Sequence, residues 1–169
     1  MKKLTNFRRW MMKIQYAIIP DGPAGDAKRG ALWQPYLKAC GENFKMAMGA
    51  YIFNPAGLEV GDNVYIGFHS YLGQGDIILG DEVLIGNHVS ITASNHLAKN
   101  GSYRFGGFKA EQVKVGQGTW IGAHASITAG VSIGQGNLIA AGCVVTKSIF
   151  EDGVIIGGIP GKIIKKGTE

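Results

Sequence analysis

Cysteine, acidic residues near the start and long apolar runs are all scarce in this chain. Two cysteines among 169 residues, Cys40 and Cys143, cannot build a disulfide framework, so the sequence reads as a reduced, cytoplasmic protein. No apolar stretch is long enough to span a bilayer, and no cleavable signal peptide is evident. Before residue 20 there is no acidic residue at all, while Lys2, Lys3, Arg8, Arg9 and Lys13 supply five positive charges. These account for the net charge of +5, because the remaining twelve basic and twelve acidic residues balance. A basic face with spaced aromatics is therefore missing over the rest of the chain, which excludes a nucleic-acid footprint.

What the chain has instead is a repeat. From Val115 to Phe150 it reads as six hexapeptides: VGQGTW, IGAHAS, ITAGVS, IGQGNL, IAAGCV and VTKSIF. An aliphatic residue opens each unit and a small one follows it. A strict period of six is neither the 3.6 of a helix nor plain strand alternation. It is the mark of a parallel β-helix, in which each short strand buries one aliphatic side chain and then turns. Three strands bury little alone, so coils must stack. The register recurs upstream as VGDNVY, IGFHSY and LGQGDI from Val60, then LGDEVL, IGNHVS and ITASNH from Leu79, with Ile78 as a single slip. Many of the 27 glycines fall at turn slots of this frame, where the missing side chain permits tight turns and close coil contact.

The expected organisation is one all-β domain: an N-terminal helical or irregular cap over 1–41, a β-helix over 42–160 with a protruding loop 97–114, and a basic C-terminal tail over 161–169. Residues 42–59 suggest an irregular first coil with a turn at Pro55. Residues 4–18 place Leu4, Phe7, Trp10, Met11, Ile14 and Ile18 at helical spacing, with basic residues on other faces. Two readings stay open for this stripe: packing on the β-helix or a neighbouring subunit, or interfacial contact with anionic lipid. Pro20-Asp21-Gly22-Pro23 breaks the helix, and covering the open end of the prism is the expected task of the first forty residues.

Two sets of histidines stand out. His96 ends the last repeat unit before the loop, where a long excursion from a rigid solenoid is usually functional. Taken alone it is either a solvated loop residue or a base, since imidazole is the side chain that changes charge near neutral pH. His69, His88 and His124 each sit fourth in a unit on successive coils, so they should form a ladder at the interstrand spacing of about 4.8 Å. The ladder is either a row of surface residues at a tolerant turn position or a metal-binding set.

TWIG at Thr119–Gly122, AAG at Ala140–Gly142 and GGIPGKIIKK at Gly157–Lys166 resemble the hexapeptide-repeat acyltransferases, and within them the sugar O-acetyltransferases such as the galactoside and maltose enzymes. The likeness covers roughly residues 42–166. It implies a left-handed parallel β-helix and a homotrimer with active sites between subunits. It also implies acetyl-CoA as acyl donor, no metal, and a sugar hydroxyl as acceptor.

By the same resemblance His96 is the general base, and Asn95 and Trp120 contact the acceptor. Ala123, Ala141 and Thr146 line the groove for acetyl-CoA, and Lys162 and Lys165 face its phosphates, at positions where relatives carry arginine. Residues 1–41 do not match the N-terminal segment of the galactoside and maltose enzymes, and an asparagine they use for the acceptor falls near Gly67. Together with the basic N-terminus, this points to capsule, O-antigen or exopolysaccharide units and to peripheral contact with the inner membrane face.

Serine or amino-sugar acetylation remains an alternative within the class. Outside it stand a metal-dependent hydratase of the γ-carbonic anhydrase type, whose HxxxxH spacing is missing here, and a noncatalytic β-helix scaffold.

Overall fold

The computed structural model describes residues 3–167. Met1, Lys2, Thr168 and Glu169, the outer ends of the expected cap and tail, lie outside the described residues. Two helices come first, α1 (Asn6–Ile18) and α2 (Pro23–Trp33). Short strands then wind into stacked coils: β1 (Ala39–Cys40), β2 (Lys45–Met46) and β3 (Tyr51–Ile52); β4 (Leu58–Val60), β5 (Tyr65–Ile66) and β6 (Tyr71–Leu72); β7 (Ile77–Leu79), β8 (Leu84–Ile85) and β9 (Ser90–Ile91). A hairpin of β10 (Ser94–His96) and β11 (Phe108–Ala110) interrupts the winding. It resumes with β12 (Val113–Val115), β13 (Trp120–Ile121), β14 (Ser126–Ile127), β15 (Ser132–Ile133), β16 (Leu138–Ile139) and β17 (Val144–Val145). A partial last coil carries β18 (Val154–Gly157), which pairs antiparallel with β19 (Lys162–Lys166).

The coils stack into a three-sided prism of parallel sheets. The first face orders β1-β4-β7-β12-β15, the second β2-β5-β8-β13-β16-β18-β19 and the third β3-β6-β9-β14-β17. The period-six aliphatic residues, among them Ile66, Leu72, Ile85, Ile121, Ile127 and Ile139, are buried along the axis. Each such side chain withdrawn from water contributes roughly 1.5–3 kcal/mol. The first coil already begins at Ala39, three residues ahead of the expected boundary at 42, because Gly41 N–H donates to the Val60 carbonyl at 2.8 Å and joins the ladder.

Buried polar groups within the coils are paired. Asn137 accepts from Val154 N–H at 2.8 Å and donates to the Glu151 carbonyl at 2.8 Å, while the Thr119 hydroxyl donates to the Gly134 carbonyl at 3.0 Å. These bonds hold the last coils in register where the repeat fades.

Helix α2 closes the open end of the prism. It lies so close to the first coil that a Cβ at Gly30 would overlap the Phe44 carbonyl. Arg29, fully buried, ties α2 to the turn before it: its guanidinium donates to Asp26 at 2.8 Å and to the carbonyls of Ile19 and Pro20 at 2.9 and 3.0 Å. Helix α1 is fixed through Met12, which is buried, and through Tyr16, whose hydroxyl accepts from Trp33 Nε1 at 2.8 Å. Burial pushes the Tyr16 phenol up to about 12.

The expectation that the apolar stripe packs on the prism holds only for Leu4, which lies ahead of α1 and is partly buried against the core. Phe7, Trp10, Met11, Ile14 and Ile18 are all exposed. The face that docks is the opposite one: Met12 joins the buried core cluster, Tyr16 packs against it, and the Tyr16 hydroxyl lies 3.8 Å from Met46 Sδ.

Candidate active site

The chain leaves the prism at the edge between the third and first faces. Ala93 N–H donates to the Gln74 carbonyl, Glu111 N–H to the Ala93 carbonyl and Gly130 N–H to the Glu111 carbonyl, at 2.8–3.0 Å. The edge column thus runs straight through the excursion, and the hairpin stands off it without disturbing coil spacing. Ser94, Asn95 and His96 pair antiparallel with Ala110, Lys109 and Phe108.

The expected loop 97–114 is therefore an ordered excursion over 94–110, and Val113 is already back in a strand. Asn100 and Gly101 take left-handed backbone conformations, with φ of 52° and 76°, and form the tight turn that Lys99 and Ser102 close. A Cβ at Gly106 would overlap the Leu97 carbonyl, so only glycine fits there.

His96 sits on this hairpin, exposed, and among the described residues its ring makes no hydrogen bond. Beside it the Asn95 amide donates to Glu111 Oε2 at 3.3 Å, and Lys109 Nζ donates to Glu111 Oε1 at 2.8 Å. The Lys109 ammonium holds the Glu111 carboxyl below its usual range. Glu111 had no signal in the sequence, since its partner Asn95 lies on the other strand of the hairpin. Tyr103, Phe105 and Phe108 are exposed on the excursion, which gives it an apolar surface of its own.

The other expected site residues divide between two sides of the prism. Trp120 lies on the second face, aligned with Leu84 and Leu138 on neighbouring coils, and about half of it is exposed (48 %). Ala123 and Ala141 follow at the edge between the second and third faces, one coil apart, linked by the Gly142 N–H to the Ala123 carbonyl at 2.9 Å. Lys162 belongs to that side as well, since it pairs with Gly157 at the end of β18. Lys165 lies further along β19, opposite Ile155. Thr146 falls instead at the third–first edge, the edge that carries Asn95 and His96. The expected site residues of a single chain thus fall into two groups: His96, Asn95 and Thr146 on one edge, Trp120, Ala123, Ala141 and Lys162 across the prism.

The histidine ladder forms on the second–third edge. The rings of His69 and His88 stack at 5.6 Å between centroids and those of His88 and His124 at 4.9 Å, the latter pair 4° from parallel. All three take left-handed φ values of 53–61°. Gly49 and Gly142 hold the same slot at either end, and Phe68 packs on His69 with centroids 4.0 Å apart. Nearly parallel rings at this spacing do not converge on a point, whereas two nitrogens on one zinc ion lie at most about 4.2 Å apart. The ladder fits a stack of surface rings.

Acetyl-CoA, the acyl donor that the resemblance implies, is a long polyanion with an extended, amide-rich arm. Small residues at Ala123 and Ala141 leave the coil backbone open to such an arm. Lys162, Lys165 and Lys166 are exposed on β19, and among the described residues none of them is held in an ion pair. Three available cations on one strand suit phosphate groups. The donor set fits.

Known proteins show the same design. Residues 112–147 match the model of the bacterial transferase hexapeptide (six repeats), and residues 57–93 match that of the hexapeptide repeat of succinyl-transferase. A Saccharomyces cerevisiae protein provisionally named as an acetyltransferase is 33% identical over 148 residues, covering 87% of this chain and 75% of its own length. The galactoside O-acetyltransferase of Escherichia coli (strain K12) is 27% identical over 154 residues, covering 90% and 75%.

A solved galactoside acetyltransferase in complex with coenzyme A superposes with a TM-score of 0.79 at 25% identity, covering 98% of this chain and 84% of that one. At that coverage nearly all of residues 1–41 has a structural counterpart in the galactoside enzyme, which corrects the expectation that this segment is without one. With these matches the prism is the parallel β-helix that the period-six repeat implied, left-handed as the family resemblance implied.

Proposed function

The chain belongs to the hexapeptide-repeat acetyltransferases, and from that premise we propose that it moves an acetyl group from acetyl-CoA to a sugar hydroxyl, with His96 as general base. The observation that carries this reading is the position of His96: it stands on an ordered hairpin projecting from a rigid edge. A base must be held within reach of the proton it takes, and a strand pinned to a solenoid edge holds it better than a free loop.

In the reaction the acceptor hydroxyl gives its proton to the His96 imidazole as its oxygen attacks the thioester carbonyl. The tetrahedral oxyanion collapses, the carbon–sulfur bond breaks, and the thiolate leaves with the proton from the imidazolium. Preorganised N–H donors at the oxyanion typically supply roughly 2.7–4 kcal/mol each. In this reading neither cysteine is acylated: Cys143 is buried in the prism and Cys40 lies on β1 of the first coil, not on the hairpin that carries His96.

The division of the site between two sides supports a homotrimer. When the hairpin edge of one copy meets the Trp120 side of the next, His96 and Asn95 face Trp120, Ala123 and Ala141, and a three-fold head-to-tail contact closes into a ring. Trp120 then offers a flat apolar wall to the C–H face of a sugar. Thr146 would add a contact to the donor from the copy that carries the base, and Lys162 and Lys165 would face its phosphates.

Capsule, O-antigen or exopolysaccharide units are the acceptor class we favour, in a cytoplasmic enzyme working beside the membrane. The basic first helix with its outward apolar stripe supports that placement. Thiol release from acetyl-CoA, measured against sugars, amino sugars and glycan repeat units, tests the reading. Release that requires a sugar hydroxyl supports it. Release with amino sugars alone would make the enzyme an N-acetyltransferase, and a folded protein that neither binds nor consumes acetyl-CoA would sink the proposal.

A further inference from the structure

We propose that α1 is a membrane-docking helix that lays its apolar stripe into the interface of an anionic lipid bilayer. The argument does not depend on the acetyl-transfer reading. At about 100° per residue, Phe7, Trp10, Met11, Ile14 and Ile18 fall within one arc of roughly 100°. Arg9, Met12 and Tyr16, which fasten the helix to the body, fall on the opposite side.

Phe7 and Ile18 are 67% and 74% exposed, at the two ends of the stripe, and Trp10 between them is 56% exposed. The helix is thus anchored by one face and presents a row of large apolar side chains to solvent, one flank of it bordering the groove beside Leu32 and Pro35. A soluble surface rarely exposes so continuous a row, and such rows mark contact sites.

Charge selects the occupant. Arg8 and Lys13 are exposed on the two flanks of the stripe, Lys3 is exposed just ahead of it, and the chain has no acidic residue before Asp21. An apolar centre between basic flanks is the pattern of helices that lie in the plane of a bilayer, where the cations meet lipid phosphates. Thr5 fixes the start of the helix by accepting the Arg8 N–H at 3.2 Å, and Arg9 donates to the Tyr51 hydroxyl at 2.6 Å. The stripe is therefore preorganised on the body and need not fold on contact. Among the described residues no helix is long and apolar enough to cross a membrane, so the proposed mode is lying on the surface.

The test is co-sedimentation of the full-length protein with vesicles of phosphatidylcholine alone or with about one-third phosphatidylglycerol. Wild type should sediment with the anionic vesicles, and binding should fall at least about threefold in high salt. The double variant Trp10→Glu, Ile14→Glu should bind at least about tenfold more weakly while keeping its native mass in solution and its thermal transition. A wild type that ignores anionic vesicles, or a variant that binds them as well, would overturn the proposal. So would a variant that falls apart to a smaller oligomer, because the stripe would then cover a neighbouring copy of the chain.

Discussion

His96 and Trp120 lie on opposite sides of the same prism. His96 stands on a hairpin that leaves the third–first edge, and Trp120 lies on the second face, which is the side across from that edge. If both serve one reaction, they must come from different copies. Mixing two inactive variants, His96→Ala and Trp120→Ala, by joint unfolding and refolding should therefore regain part of the wild-type rate. In a mixed ring, some interfaces combine an intact histidine with an intact tryptophan. Absence of any regain in a mixture that has demonstrably formed hetero-oligomers would show that each chain works alone.

The cysteine thiols give a second outcome. Burial pushes the pKa of Cys143 up, and burial followed by the Asp62 carboxylate does the same for Cys40. A raised pKa keeps the thiol protonated further up the pH scale, so the reactive thiolate is scarcer than in the unfolded chain at the same pH. Alkylation by iodoacetamide at pH 8 should be slow in the native protein and fast after denaturation, with acetyl transfer untouched meanwhile. Rapid loss of activity would instead place a thiol in the chemistry.

Arg29 offers a stability test. Replacing it with alanine strips Asp26 and the Ile19 and Pro20 carbonyls of their donor. Leaving buried acceptors without their donor costs about 1–3 kcal/mol, and the Asp21 and Asp26 carboxylates, 68% and 16% exposed, keep access to water. Denaturant unfolding should show most of that loss, with helical signal leaving before the β-helix melts. A cost below about 1 kcal/mol would mean that the cap is held by α2 packing alone.

The histidine ladder predicts a small effect. A non-glycine residue in the left-handed region costs about 1–2 kcal/mol, and stacking of the His88 ring on its neighbours returns about 0.5–1.5 kcal/mol. His88→Gly should therefore change unfolding stability by less than about 1 kcal/mol, as judged by urea titration. A much larger loss would give the ladder a structural weight that its exposed rings do not suggest.

The β-helix was legible because its physics is local and periodic. Each of Ile121, Ile127, Ile133 and Ile139 announces a buried strand six residues from the last, and every fourth-slot histidine could be placed on one ladder before any coordinates. Arg29 was not legible, because its partners are two backbone carbonyls and two carboxylates gathered by a turn. Nor was Glu111, which meets Asn95 only when the hairpin forms.

The stripe on α1 shows the limit of a periodicity argument. Spacing reveals that Phe7, Trp10 and Ile14 share a face, but not which way it points. That was decided by Met12 and Tyr16 packing against the core, with Tyr16 bonded to Trp33. Register alone likewise did not reveal that the residues singled out by resemblance fall on two sides of the prism.

The most direct measurement is single-turnover thiol release by wild type and His96→Ala at equal acetyl-CoA occupancy, with an accepted sugar present. A general base typically contributes about 10²–10⁴-fold. The account predicts a fall of that size in the chemical step, with acetyl-CoA affinity and thermal stability unchanged. A variant that transfers acetyl groups at the wild-type rate would contradict it, and the base would have to be sought elsewhere on the prism.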